Sequence, residues 1–158
     1  MIANRFLEWS DDLSVGIAEI DAQHQILVDL LNEIHEAIRE GTTVEVTKGI
    51  IDRLDQYTRI HFAVEECLMR ILDYPDYERH KQEHDKLLAQ LTDLHIKLEK
   101  GKGAIGFELA FFLKGWITQH ILEGDQRYAA HFLSRGIKSD AEPKSSWAQR
   151  VMNLLVRR

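Results

Sequence analysis

Only two prolines, Pro75 and Pro143, interrupt this chain, and between them an apolar residue recurs at every third or fourth position. That period is the turn of an α-helix and does not fit the two-residue alternation of a half-buried strand. The reading is all-α. A first helix from Glu19 to Glu40 carries Ile20, His24, Leu27, Leu31, Ile34 and Ile38 on one stripe, and Gly41 is its stop. A second, capped by a box from Thr42 to Glu45, keeps Val46, Ile50, Leu54, Tyr57, His61, Glu65, Leu68 and Leu72 on one face to the Asp73-Tyr74-Pro75 turn. Pro75 suits the first turn of a third helix, whose inner face reads His80, His84, Leu87, Leu91, Leu94 and Leu98 until Gly101 and Gly103 break it. A fourth runs from about Ala104 through Leu109, Leu113, Trp116, Ile117 and His120 toward Phe132. Four helices with short connections predict antiparallel neighbours in an up-down-up-down four-helix bundle. The bundle and an N-terminal arm occupy residues 1–136, and 137–158 form a C-terminal extension with a short amphipathic helix.

A chain of 158 residues can bury one core without disulfides, and its one cysteine, Cys67, cannot form an internal bridge. The first residues, MIANRFLEWSDDL, lack the apolar run of a signal peptide, and no stretch reaches the length of a membrane span, so a cytoplasmic protein is expected. The net charge of −6 argues against nucleic-acid binding. It is uneven, since from Ile137 onward five basic residues face two acidic ones, giving +3 there and −9 elsewhere. The extension places Trp147, Val151, Leu154 and Leu155 on one side of a helix and Arg150, Arg157 and Arg158 elsewhere. Packing on the bundle or on a second copy is the plain expectation for it. A membrane surface or a protein partner is the alternative occupant of residues 144–158.

The apolar stripes carry polar groups that a core does not tolerate alone. His61 with Glu65, and His80 with His84, are spaced i, i+4, so each pair presents two ligands on one helix face. Burying them without partners is costly. His24 lies on the stripe of helix one, and His120 does so on helix four with Asp125 five residues on. A spacing of five does not hold one straight face, so helix four is expected to end, bulge or bend near Glu123-Gly124. In an up-down-up-down bundle the early part of helices one and three and the late part of helices two and four share one end. All seven groups therefore meet at one level, which is the pattern of a metal site.

Five imidazoles and two carboxylates exceed what one six-coordinate ion accepts, which implies two ions. With both carboxylates bridging and one solvent-derived oxygen bridge, a single coordination position stays open for a small molecule. The mixture of nitrogen and oxygen donors suits iron, with manganese or zinc less favoured. Ferritin-like oxidases use a carboxylate-rich set. Here nitrogen dominates, which favours holding oxygen over activating it.

The runs VGIAEIDAQHQIL, HFAVEECLM, YPDYERHKQEH and GWITQHILEGDQRY resemble the hemerythrin family, in its single-domain bacterial form, over roughly Leu7 to Phe132. The resemblance implies one iron held by His80, His84 and His120 and another by His24 and His61, with Glu65, Asp125 and an oxo or hydroxo group bridging. It implies dioxygen as the ligand, taken at the two-histidine iron, and Trp116 and Ile117 as walls of a dry pocket. Reversible storage, transport or delivery of oxygen by a protein that is not an enzyme is the expected function, as a monomer or homo-oligomer. The competing readings are an oxygen or redox sensor acting through the tail, and a diiron enzyme handling nitric oxide or peroxide. No further acid or base is apparent near the site.

His35, His95 and His131 each follow a ligand by eleven residues, but they run toward different ends of the bundle and form no second site. Glu66 is expected to be solvated, and Cys67 to point away from the metals.

Overall fold

The structure, a computed structural model, describes residues 5–100 and 106–136. After a short 3-10 turn at Asp11–Leu13 come α1 (Ala18–Arg39), α2 (Val44–Ile71), α3 (Tyr77–Glu99), α4 (Gly106–Gln119), a π-helical segment (His120–Asp125) and α5 (Gln126–Ser134). The last three run on as one rod, so the architecture is the expected all-α four-helix bundle. The extension 137–158 and its expected helix lie outside the described residues. No described helix is long and apolar enough to cross a membrane.

The reversals between helices are chemically defined. α1 ends with Gly41 in the left-handed region at φ 65°, and the N–H of Thr42 returns to the Ala37 carbonyl at 3.0 Å. α2 ends the same way, with Asp73 at φ 51° in the place glycine usually takes and Tyr74 N–H bonded to the Met69 carbonyl at 2.8 Å. Two boundaries differ from the sequence expectation. Thr43, one residue later than expected, caps α2 by accepting from Val46 N–H at 3.4 Å, while the Thr42 hydroxyl bonds back to the Ala37 carbonyl. α3 starts at Tyr77, leaving Pro75 in the preceding turn, whose Tyr77 N–H to Tyr74 carbonyl bond closes it.

The core is built from Ile20, Leu27, Leu31 and Ile34 of α1, Ile51, Leu54, Phe62 and Met69 of α2, Leu91 of α3, and Leu109, Leu113 and Ile117 of α4. On α2 the buried face is rotated slightly from the expected stripe. Val46 is exposed, and Thr58, Phe62 and Met69 are buried instead of Ile50, Leu68 and Leu72, which are only partly covered. The arm before α1 is fixed by its own polar pairs: Leu7 exchanges two hydrogen bonds with the Asn32 amide, and Ser14 and Val15 both donate to the Asp21 carboxylate. The α1/α2, α2/α3 and α1/α4 seams pack closely along their lengths, whereas α3 and α4 approach each other at few points among the described residues. α3 accordingly buries only His80, His84 and Leu91 fully.

Candidate metal centre

All seven residues singled out by their spacing converge in the bundle interior. Ligand atoms of His24, His61, Glu65, His120 and Asp125 lie within 4.8 Å of one another, as do those of His80, His84, His120 and Asp125. His24, His61, Glu65, His84 and Asp125 have no exposed surface, while His80 and His120 keep 4% and 5%.

The helix registers explain the convergence. His61 and Glu65 are one turn apart on α2, and His80 and His84 one turn apart on α3, with the Asp73 reversal holding the two pairs level. His120 and Asp125 bracket the π segment. In a regular α-helix five residues would leave them about 140° apart, and the wider π turn brings both inward, meeting the expectation of a bulge at Glu123-Gly124. π turns of this kind recur at functional sites. A side chain at Gly124 would crowd the cluster: a Cβ would lie 3.1 Å from His80 Cε1 and 3.6 Å from His120 Nδ1.

The carboxylates sort the imidazoles. Glu65 Oε1 faces His61 Nε2 at 2.8 Å and His24 Nε2 at 3.6 Å, and its other oxygen faces His84 at 3.1 Å, His80 at 3.6 Å and His120 at 3.7 Å. Asp125 Oδ1 lies 3.5 Å from His80, and Oδ2 lies 2.5 Å from His24 and 3.1 Å from His120. These approaches are close but lack hydrogen-bond alignment. The Nε2 atoms of all five histidines, Glu65 Oε2 and both Asp125 oxygens are buried without a hydrogen-bond partner. Native proteins rarely leave such groups orphaned, and nitrogen and oxygen lone pairs aimed at one another are what a cation satisfies. The donor set therefore fits a pair of iron ions.

Electrostatics point the same way. Burial pushes His24 down, but the adjacent Asp125 and Glu65 carboxylates outweigh it and raise it to about 9. His80 is likewise raised to about 9, against burial, by Asp125 and Glu65. Burial dominates at His61, which is lowered. Burial raises both carboxylic acids, yet the surrounding histidines, led by His61 for Glu65 and His120 for Asp125, hold them well below the usual range. The cluster keeps two ionised carboxylates in a dry interior, the condition for cation binding.

Outer partners orient the rings. Gln23 Oε1 lies 2.6 Å from His61 Nδ1, and Glu66 Oε1 lies 2.9 Å from His84 Nδ1, so each ring donates outward and turns its Nε2 lone pair inward. Phe62 stacks flat on His84 with ring centroids 3.7 Å apart. The Tyr128 hydroxyl donates to Glu65 Oε1 at 2.7 Å, and burial raises its pKa well above normal, keeping the proton in place.

Glu66 is thus not simply solvated, because α3 passes close enough for His84 to reach it. Tyr128 corrects the expectation that no further proton-bearing group stands at the site. It falls three residues after Asp125, on the same face of the rod, which was a usable signal; Gln23 had none beyond its place beside His24. Trp116 and Ile117 are both buried, with the Trp116 ring 6.3 Å from His120 and 6.0 Å from Phe62. The remaining histidines have other partners: His35 stacks on Phe6, His95 pairs with Asp52, and His131 Nε2 donates to the Leu72 carbonyl. Cys67 is exposed.

Residues 15–132 match the family model of the hemerythrin HHE cation binding domain. The bacteriohemerythrin of Pseudomonas aeruginosa strain LESB58 is 32% identical over 92% of this chain and 95% of its own length. That of Stenotrophomonas maltophilia is 36% identical over 78% and 79%. Among solved structures, a wild-type hemerythrin superposes with a TM-score of 0.75 at 27% identity, covering 80% of this chain and 98% of that one. Four helices, one level of buried donors and these likenesses agree, and the chain belongs to the hemerythrin family, whose members bind oxygen at a non-heme diiron centre.

Proposed function

We propose that this chain binds dioxygen reversibly at two irons joined by an oxo or hydroxo group, for storage, transport or delivery, and is not an enzyme. In this reading His80, His84 and His120 would hold one iron and His24 and His61 the other, with Glu65 and Asp125 available to both. When bound, the pair supplies the two electrons that reversible capture of dioxygen draws on.

The observation that carries this reading is the division of Glu65: one oxygen faces the two-histidine set and the other the three-histidine set. A carboxylate split in this way serves two cations better than one. Gln23 and Glu66 fix the direction of one imidazole in each set. The smaller set has fewer protein donors, and so offers the place for dioxygen. Complete burial of His24 and His61 keeps water from that place, and Trp116 and Ile117 add apolar wall. Tyr128 holds its proton against Glu65, restraining the spanning carboxylate.

Anaerobic titration of the metal-free chain with ferrous iron tests the assignment. Two irons per chain are expected at the endpoint; one would overturn the two-set division.

A further inference from the structure

The histidine cluster comes nearest to solvent at two rings. His24, His61 and His84 have no exposed surface, whereas His80 and His120 keep 4% and 5%. Beside His80 the surface dips into a space of only about 10 Å³, room for about one water. Beside His120, in the loose seam between α3 and the α4 rod, lies a cavity of about 290 Å³. Leu87 of α3 and Trp116, His120 and Gly124 of the rod line it, and Arg79, Lys86 and Arg127 around Glu83 give it a basic rim.

Behind that lining the rings stand in depth. Trp116 is only 5% exposed, and its ring lies 6.3 Å from His120 and 6.0 Å from Phe62. Phe62 lies 4.9 Å from His120, so the three rings close a triangle. Phe62 does not border the cavity and is 1% exposed. Deeper again stands His61, 5.8 Å from Phe62 and 6.0 Å from His120. Between the cavity and the two-histidine set there is thus an aromatic wall with Trp116 in front of Phe62. Such a wall discriminates: a neutral diatomic molecule gives up little on leaving water, whereas water and ions give up hydrogen bonds. The other three seams pack closely along their lengths, which leaves this one as the way in.

We propose that the α3/α4 cavity is the vestibule through which dioxygen reaches the centre, and that the Trp116 ring is its gate, turning aside for a neutral molecule and closing against water. The inference rests on the oxygen-binding reading above and adds the route to it. Passage that waits for a buried ring to move is slower than diffusion to an open site.

The test is stopped-flow mixing of the reduced, iron-loaded chain with dioxygen, which reads the association rate whether or not the product later reverses. Trp116→Ala should raise that rate about tenfold or more, because entry no longer waits for the ring. Leu87→Trp fills the cavity from the α3 side, and it should slow association and dissociation alike by about tenfold and leave their ratio unchanged. Ile51→Ala truncates the core of α2 away from the cavity and should keep the wild-type rate. A second readout needs no iron. Dissolved dioxygen is paramagnetic, and in the metal-free chain it should broaden the Leu87 methyl resonances more than those of Leu88, which is also partly covered but does not border the cavity. Leu87→Trp at the wild-type rate, or Ile51→Ala accelerated as much as Trp116→Ala, would overturn the gate, and equal broadening at Leu87 and Leu88 would overturn the vestibule. A loaded chain that takes up no dioxygen would overturn the oxygen reading and the route with it, whereas failure of the variants in a chain that does take it up overturns the route alone.

Discussion

The two halves of the metal cluster share their carboxylates but not their surroundings. His24 and His61 lie between α1 and α2, whose seam is tightly packed, and both rings are fully buried. His80 lies on α3 and His120 at the start of the π segment, neighbours that approach each other at few points among the described residues, and both keep a sliver of exposed surface, His120 beside a cavity with a basic rim. A bundle with three closed seams and one loose seam thus gives a single polar cluster one sealed face and one accessible face. His84 is as fully buried as His24 and His61, so the accessible part is confined to the edges of His80 and His120. In the reading proposed above, the ligand that must be kept from water goes to the sealed side, and the other side is left to its histidines and to the solvent-facing cavity.

The largest expected effect removes what the halves have in common. Glu65→Ala deletes the one carboxylate whose oxygens divide between them, and it should weaken iron binding by more than about 100-fold, beyond what loss of an outer partner costs. Metal analysis after desalting should find one iron per chain or fewer. Two irons retained would show that Asp125 alone spans the sets.

Proton linkage comes next. Imidazole must be neutral to bind a metal. With His24 and His80 raised from 6.5 to about 9, both are protonated in the metal-free chain at pH 7. Loading should therefore release protons from both, and apparent affinity should climb steeply from pH 7 and level off near 9. Calorimetry in buffers of different ionisation enthalpy measures the release. The same raised values make the metal-free fold gain from these two groups fully below about 6.5 and lose that gain as pH rises through 9. The lowered Glu65 and Asp125 act oppositely, giving stability above the ordinary carboxylate range that is lost as pH falls.

Outer partners should separate the halves. Gln23→Leu frees only the His61 ring and Glu66→Leu only the His84 ring, and each should cost its own ion roughly 10–100-fold in affinity. Stepwise iron titration should show a different step weakened in each variant. Equal weakening of both steps in either variant would dissolve the comparison. The smallest change is Tyr128→Phe, which keeps the packing and drops one hydrogen bond to an ionised group. It should lower stability by about 1.5–3 kcal/mol in denaturant melts, with both irons still bound.

The fold was readable because helical period and chain reversals are local properties. Gly41 and the Asp73-Tyr74-Pro75 run announce turns whatever packs around them. The convergence of the seven polar residues was readable because i, i+4 polar pairs on an apolar stripe contradict burial unless something satisfies them. The spacing of five from His120 to Asp125 even foretold a departure from α geometry, though not that the segment would be π-helical from His120 onward. What stayed hidden depends on the approach of helices to one another. Glu66 looks like surface on an isolated α2, and only the path of α3 brings His84 Nδ1 to it. Gln23 carries no periodic signal as a partner of His61, and the place of Tyr128 one turn after Asp125 puts it on the inner face without saying that it reaches Glu65. The looseness of the α3/α4 seam likewise comes from relative packing, since the Leu87, Leu94 and Leu98 stripe reads as a buried face and is only partly covered.

The most direct measurement is an anaerobic optical titration of the reduced, iron-loaded chain with dioxygen, followed by removal of the gas. The account predicts a visible charge-transfer band that grows to one dioxygen per pair of irons and disappears when the gas is withdrawn, through repeated cycles. Conversion in the first cycle to a stable oxidised spectrum that ignores gas removal would contradict it.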